Sequence, residues 1–299
     1  MFATLLGPLP RPDLPADAAP EAVLDAVLDA QRQAGLEPLT DGGWALPADR
    51  DDPVAAWRTT HARAGGLVKA VVDGPLRSGR SVADVRVTIL DLADAGCAWI
   101  EVHEPEAVHI GDDPARRARF ADAHRSLTDG LAGRDGPHLS LAITGGNADA
   151  AGIETILAGA YASLALDLIA GPDNWRLASA APGDRGIVCG VMGARAQDEP
   201  VEILLYAAGY AASTAGRGAA RVGLATTGSY AGLAWDVAVR KMTLLGEAVR
   251  LAALPPAERR ARLDPRAVDI RSAALGQVRP ARPRRSIAPP PRRRRPPTA

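Results

Sequence analysis

Cysteine is nearly absent from this 299-residue chain. Cys97 and Cys189 are the only two, far apart and outside any CxxC spacing. That excludes a disulfide framework and a zinc-ribbon site. Aromatic residues make up only 4% of the chain, so a core drawn from its 47% hydrophobic content must be built of Ala, Leu, Val and Ile. No apolar stretch reaches the ~18 residues that a membrane span needs. The first residues carry no basic region of the kind that opens a secretory signal. The expectation is a cytoplasmic protein with no membrane partner. Lysine is scarce as well: Lys69 and Lys241 stand alone among 35 basic residues, a skew that reads as genomic bias.

The formal charge of zero hides an asymmetry. Arg279, Arg282, Arg284, Arg285 and Arg292 to Arg295 fall in residues 279–299, which hold no acid. Removing those eight from the 35 basic residues leaves 27 against 35 acids, a body of about −8. Such a body repels nucleic acid, so any polyanion partner belongs to the tail. An Arg- and Pro-rich tail has two readings, a polyanion contact or a neutral extension.

Short apolar runs alternate with longer amphipathic segments as far as Leu254. Expected strands are Phe2–Leu6, Glu37–Thr40, Leu67–Val72, Trp99–Val102, Leu139–Thr144, Ser163–Leu168, Gly186–Val191 and Arg221–Ala225. Expected helices include Pro20–Ala34, Val82–Ala95, Glu199–Ala212 and Trp235–Ala252, each with apolar residues recurring on one face. Eight strands, each followed by a helical segment, predict a closed (β/α)8 barrel over residues 1–254, with an open doubly wound sheet as the rival. Residues 255–278 read as a helical extension, and 279–299 as a disordered tail that cannot bury a core.

In such a barrel, binding and catalysis belong to the C-terminal ends of the strands. There the sequence places Asp41, Asp73, His103, Glu104, Asn147, Asp167 and Thr227. His103 and Glu104 have the chemistry of an acid and a base; the bland reading makes Glu104 a loop anchor. Asp41 and Asp73 precede glycines and are turn formers or ligand contacts. Asn147 follows two glycines and either caps a helix or meets an anionic group. His138, His103 and Asp167 have the composition of a two-His, one-carboxylate metal site; otherwise His138 is a satisfied histidine at a strand start.

The order of motifs resembles the C-terminal barrel of cobalamin-independent methionine synthase over roughly residues 2–252. "FATLLGPLP" is similar to that family's first strand and turn, and "AQRQAGLEPLTDGG" to its helix and second strand. "VKAVVDGP" is similar to the third, "LADAGCAWIEVHEPE" to the acidic fourth, and "RVGLATTGSYAGLAWDVAVRKMTLLGEAVRL" to the eighth strand and last helix. The resemblance implies methyl transfer to the thiol of homocysteine, with zinc held by His, Cys, Glu and Cys at the ends of strands five, six and eight. Carried onto this chain, the Glu falls on Asp167 and the last Cys on Thr227. The fifth-strand pair falls on His138 and Ser140 in one register; anchored on Gly146-Asn147, it falls on apolar or hydroxyl residues and leaves His138 low in the barrel. Both thiolates are absent in either register, so the implied zinc is not expected to be held.

The homocysteine contacts fall on Pro8, Gly43 and His103, where the family has Ser, Glu and Asp. Two functions follow. One is a divergent enzyme working on a small polar or anionic metabolite, with His103 and Glu104 catalytic and Asp41, Asp73, Asn147, Asp167 and Thr227 binding substrate. The other is a non-catalytic barrel that binds a metabolite or a partner. The resemblance also makes a methyl-donor protein a candidate partner.

Overall fold

A computed structural model describes residues 1–131 and 136–263. Seven parallel strands form one sheet: β1 (Phe2–Thr4), β2 (Lys69–Asp73), β3 (Trp99–His103), β4 (His138–Ile143), β5 (Ser163–Asp167), β6 (Gly186–Met192) and β7 (Val222–Thr226). Their spatial order is β1-β7-β6-β5-β4-β3-β2, which leaves β1 and β2 as the edges. The expected strand Glu37–Thr40 lies between those edges without forming a full ladder. Glu37 N donates to Ala3 O on one side, and Leu39 exchanges bonds with Leu67 O and Lys69 N on the other. Pro38 has no N–H to donate, which breaks the pairing there. The Thr4 hydroxyl instead donates to Pro38 O at 2.8 Å.

The helices are α1 (Pro20–Ala34), α2 (Pro53–Ala64), α3 (Pro75–Ser78), α4 (Val82–Asp94), α5 (Pro114–Thr128), α6 (Ile153–Ile156), α7 (Trp175–Ala180), α8 (Val201–Ser213), α9 (Trp235–Ala252) and α10 (Pro256–Arg262). Local chemistry sets their ends. Asp52, Ser81 and Asp113 each accept backbone N–H bonds at the start of α2, α4 and α5. Gly35 ends α1 in the left-handed conformation, at φ 80°. The helix expected from Glu199 begins at Val201 because Pro200 can stand before a first turn but not inside a helix. Of the expected extension 255–278, α10 supplies the first part; the remainder and the Arg-rich tail lie outside the described residues.

Strand alternation divides the core in two. One set, including Ile100, Val102, Leu139, Leu141, Leu164 and Leu166, packs against the helices. A smaller cluster of Leu6, Ala142, Ala165, Val188 and Ala225 fills the concave side of the sheet. Toward β2, β3 and β4 that side turns polar, with Lys69, Glu101 and Ser140 all fully buried. No helix among the described residues is long and apolar enough to cross a membrane.

Candidate functional site

The strands are parallel, so all their C-terminal ends open on one face, and two cavities lie there. The first, of about 610 Å³, is bounded by the Gly7-Pro8 turn, the Thr40–Gly43 loop, Asp73, Arg50, Arg77 and His103. The second, of about 520 Å³, is bounded by Thr144, Gly145, Asp167, Gly193, Arg195 and Thr227. They lie on either side of a tight backbone contact, where a Cβ on Gly7 would stand 2.8 Å from Ser229 N. The backbone at Gly7 has φ 107°, so only glycine suits this turn.

His103 ends β3 and borders the first cavity. Its Nε2 lies 2.8 Å from Glu101 Oε1, and its side chain is 13% exposed. Glu101 is fully buried, and the same Oε1 accepts from Lys69 Nζ at 2.7 Å. Burial works against the charge on Glu101, but Lys69 and His103 outweigh it and hold the carboxyl down at about 2. Burial also draws the Lys69 ammonium below its ordinary range, opposed by Glu101. The pair is an ion pair: each charge is what keeps the other charged.

Glu104, one residue on, faces the other way. It is fully buried and accepts from Leu76 N and Arg77 N, each at 2.9 Å, at the start of α3. Its Oε1 also lies 3.5 Å from His124 Nε2. His124 Nδ1 in turn meets the Tyr161 hydroxyl at 2.6 Å. Burial, with Glu104 adding to it, raises the tyrosine pKa, so Tyr161 keeps its proton. Both Glu104 and His124 border an apolar cavity of about 480 Å³ on the helix side of the sheet. Glu104 thus anchors a loop, and the structure does not bring it together with His103.

The remaining candidates divide between the two cavities. Asp41 and Asp73 both border the first. Gly43 N donates to Asp41 Oδ1 at 2.8 Å, and burial raises the Asp41 carboxyl pKa. Asp73 accepts from Arg77 Nε at 2.8 Å and stays largely exposed. Asp167 and Thr227 border the second cavity. Asn147 ties two loops together, accepting from Asp173 N at 2.9 Å and donating to Asp173 Oδ2 at 3.1 Å.

His138 begins β4, at the opposite end of the strands. It bonds Ser163 Oγ at 2.8 Å and packs against Trp99, the two rings tilted by 40°. Asp167 lies four residues beyond Ser163 on β5, which at about 3.3 Å per residue is roughly 13 Å along the strand. A shared metal site for His138 and Asp167 is therefore ruled out by the register. The strand places Thr144, not His138, beside Asp167 and Thr227.

This set does not fit zinc. All three oxygen contacts of Asp167 go to backbone: Oδ1 accepts from Ile169 N and Ala170 N, and Oδ2 from Gly145 N. Neutral threonine hydroxyls stand at the other two positions, where zinc prefers thiolate or imidazole. Among the described residues, no three His, Cys, Asp or Glu are grouped to hold a metal.

Lys69, Glu101 and Arg50 escaped the sequence reading. Their one signal was the scarcity of lysine. Lys69 and Lys241 are both fully buried, and each pairs with a glutamate, Glu101 and Glu199. A residue kept as lysine in an arginine-rich chain marks a position where a compact ammonium fits and a guanidinium does not.

No family model matches the sequence, and no curated protein does. Solved structures do match. A B12-independent methionine synthase from Shewanella sp. W3-18-1, in complex with selenomethionine, aligns over 84% of this chain and 99% of its own, at TM-score 0.65 and 14% identity. This chain has that enzyme's fold. A Listeria monocytogenes protein carrying the same enzyme name aligns over 84% and 96%, at TM-score 0.61 and 13% identity. Dihydrodipicolinate synthase from Cyanidioschyzon merolae superposes less well, at TM-score 0.49 and 11% identity over 84% of this chain and 74% of its own. Within the methionine synthase fold, Pro8, Gly43 and His103 border one cavity, while Asp167 and Thr227 border the other.

Proposed function

We propose that this chain is a divergent methionine-synthase-like barrel that binds a small polar metabolite in the first cavity, with His103 as its acid–base group. One observation carries the reading. The three positions on which the resemblance puts the homocysteine contacts, Pro8, Gly43 and His103, converge on a single cavity. The space is kept while its chemistry has changed. A carboxylate is replaced by an imidazole, and Arg50 brings a cation with no hydrogen bond or ion pair among the described residues. Asp41 and Asp73 supply the opposite charge, so an amphoteric or anionic metabolite suits the lining. In the same reading, Glu37–Thr40 is the eighth stave that closes the sheet.

The metal end of the site supports no thiol activation. Zinc would ionise a substrate thiol, but the Asp167 carboxylate already holds three backbone N–H groups and the thiolates are gone. That loss also favours a second reading, in which the cavity binds its metabolite without turnover.

Two measurements test the proposal. A methionine auxotroph carrying this chain is expected not to grow on homocysteine, and growth would overturn the loss of thiol methylation. Calorimetric titration with a panel of small amino and carboxylic acids is expected to find a ligand whose affinity falls at least tenfold in His103→Ala and in Arg50→Ala. Ligands that bind both variants unchanged would move the site elsewhere; turnover of a bound ligand would decide between enzyme and binder.

A further inference from the structure

The cost of the buried ion pair is the starting point. Lys69 and Glu101 have wholly unexposed side chains on the concave side of the sheet. Elsewhere the same surface is filled by alanine, valine and leucine, and buried ion pairs can often be replaced by such residues without loss of stability. Nor are the polar atoms fully satisfied. Glu101 Oε1 takes both Lys69 Nζ and His103 Nε2, while Oε2 is buried with no hydrogen-bond partner among the described residues. An arrangement selected for stability alone would have used both oxygens. This one is aimed at His103.

We propose that Lys69 and Glu101 are positioning residues that fix the His103 ring, so that Nε2 keeps its proton on Glu101 and Nδ1 exchanges protons with the occupant of the first cavity. The proposal rests on the reading of that cavity as a ligand site. An ionised carboxylate only accepts hydrogen bonds, so Nε2 must be the donor and the neutral ring must leave Nδ1 as a lone pair. Nδ1 has no partner among the described residues. Lys69 completes the device from below: its Nζ donates to Leu5 O and to Glu101 Oε1, each at 2.7 Å. That cation keeps Glu101 a weak base, so the carboxylate orients the ring without removing its proton.

When a ligand O–H or N–H gives its proton to Nδ1, the ring becomes imidazolium and the ligand group drops by one unit of charge, a hydroxyl to an oxyanion or an ammonium to a neutral amine. The ring's new charge faces Glu101. Asp73, the register partner of His103 on β2, and Arg77, paired to Asp73, flank the opening.

Long-range proton–nitrogen spectra of the full chain, labelled with nitrogen-15, test this directly. His103 is assigned by the signals that vanish in His103→Gln. In the native protein above neutral pH, His103 is expected to be the Nε2-protonated tautomer alone. In Glu101→Gln, the amide can accept from Nε2–H or donate to a bare Nε2, so both tautomers should appear. Lys69→Met/Glu101→Gln, which leaves no uncompensated buried charge, should show the same mixture even if the single variant fails to fold. An unchanged single tautomer in a folded variant overturns the proposal, and so does a mixed tautomer in the native protein. A fixed ring with no ligand found in titration would instead overturn the ligand-site reading alone.

Discussion

At the residue scale, the interior charges dominate. Lys69→Met leaves the buried Glu101 carboxylate with His103 as its one remaining side-chain partner among the described residues, and a cost of about 3–5 kcal/mol is expected for breaking such a pair from one side. Lys69→Met/Glu101→Leu removes both charges and should cost less than the single change, which urea unfolding of the two variants will show. His138 acts through pH. Burial draws its pKa down from 6.5 to about 4, against the weaker pull of Glu101. The folded protein therefore holds a neutral ring while the unfolded chain takes up a proton. Stability is at full value above pH 6.5 and falls as pH drops from 6.5 to about 4, by no more than about 3 kcal/mol. His138→Asn should flatten unfolding free energy across that window. An unchanged slope would assign the acid sensitivity to other groups.

Among the elements, the turn from β2 into α3 shows how closely the fold is fitted. Gly74 has an ordinary backbone conformation, φ −70°, so it is not glycine for flexibility. A Cβ there would lie 2.2 Å from Glu104 Oε1. Gly74→Ala should displace the carboxylate from Leu76 N and Arg77 N, at about 1–3 kcal/mol for the buried groups left unpaired. Faster amide exchange across residues 75–79, with the rest of the sheet unchanged, would confirm that the loss is local. The elements were also what the sequence displayed best. Pro20–Ala34 and Trp235–Ala252 have the predicted ends because proline, glycine and apolar spacing act locally. Glu37–Thr40 fell short of a strand because Pro38 interrupts the ladder, a constraint visible in the sequence yet outweighed by its apolar neighbours. Site chemistry was less legible. Asp41, Asp73, Asp167 and Thr227 could be placed at strand ends, but the loop groups that Glu104 and Asn147 bind could not be foreseen. Which way a strand-end side chain points depends on register, and a slip of one residue exchanges the two faces. The Lys69–Glu101 pair was hidden for another reason: the residues are 32 positions apart and meet only across neighbouring strands.

For the molecule as a whole, the question is how the first elements meet the late pair β7 and α9. β1 pairs with β7, and α1 packs on α9 just outside them, so the first strand and helix meet β7 and α9 in both layers. Gly246 on α9 is the closest point of that joint: a Cβ there would stand 1.7 Å from Ala34 O, the last residue of α1. The backbones touch because nothing projects between them. Gly246→Ala would gain helix propensity, yet it must separate the two helices, and overpacking of this kind costs about 1–3 kcal/mol. Gly209→Ala on α8 is the matched control. It too lies within a helix, but its Cβ would meet nothing within 4 Å. There the propensity gain is unopposed and should raise stability by roughly 0.4–1 kcal/mol. Thermal unfolding of the two variants should therefore move in opposite directions. If Gly246→Ala were also stabilising, the α1–α9 contact would be loose, and β1 and α1 would be joined to this part of the fold mainly by the β1–β7 ladder.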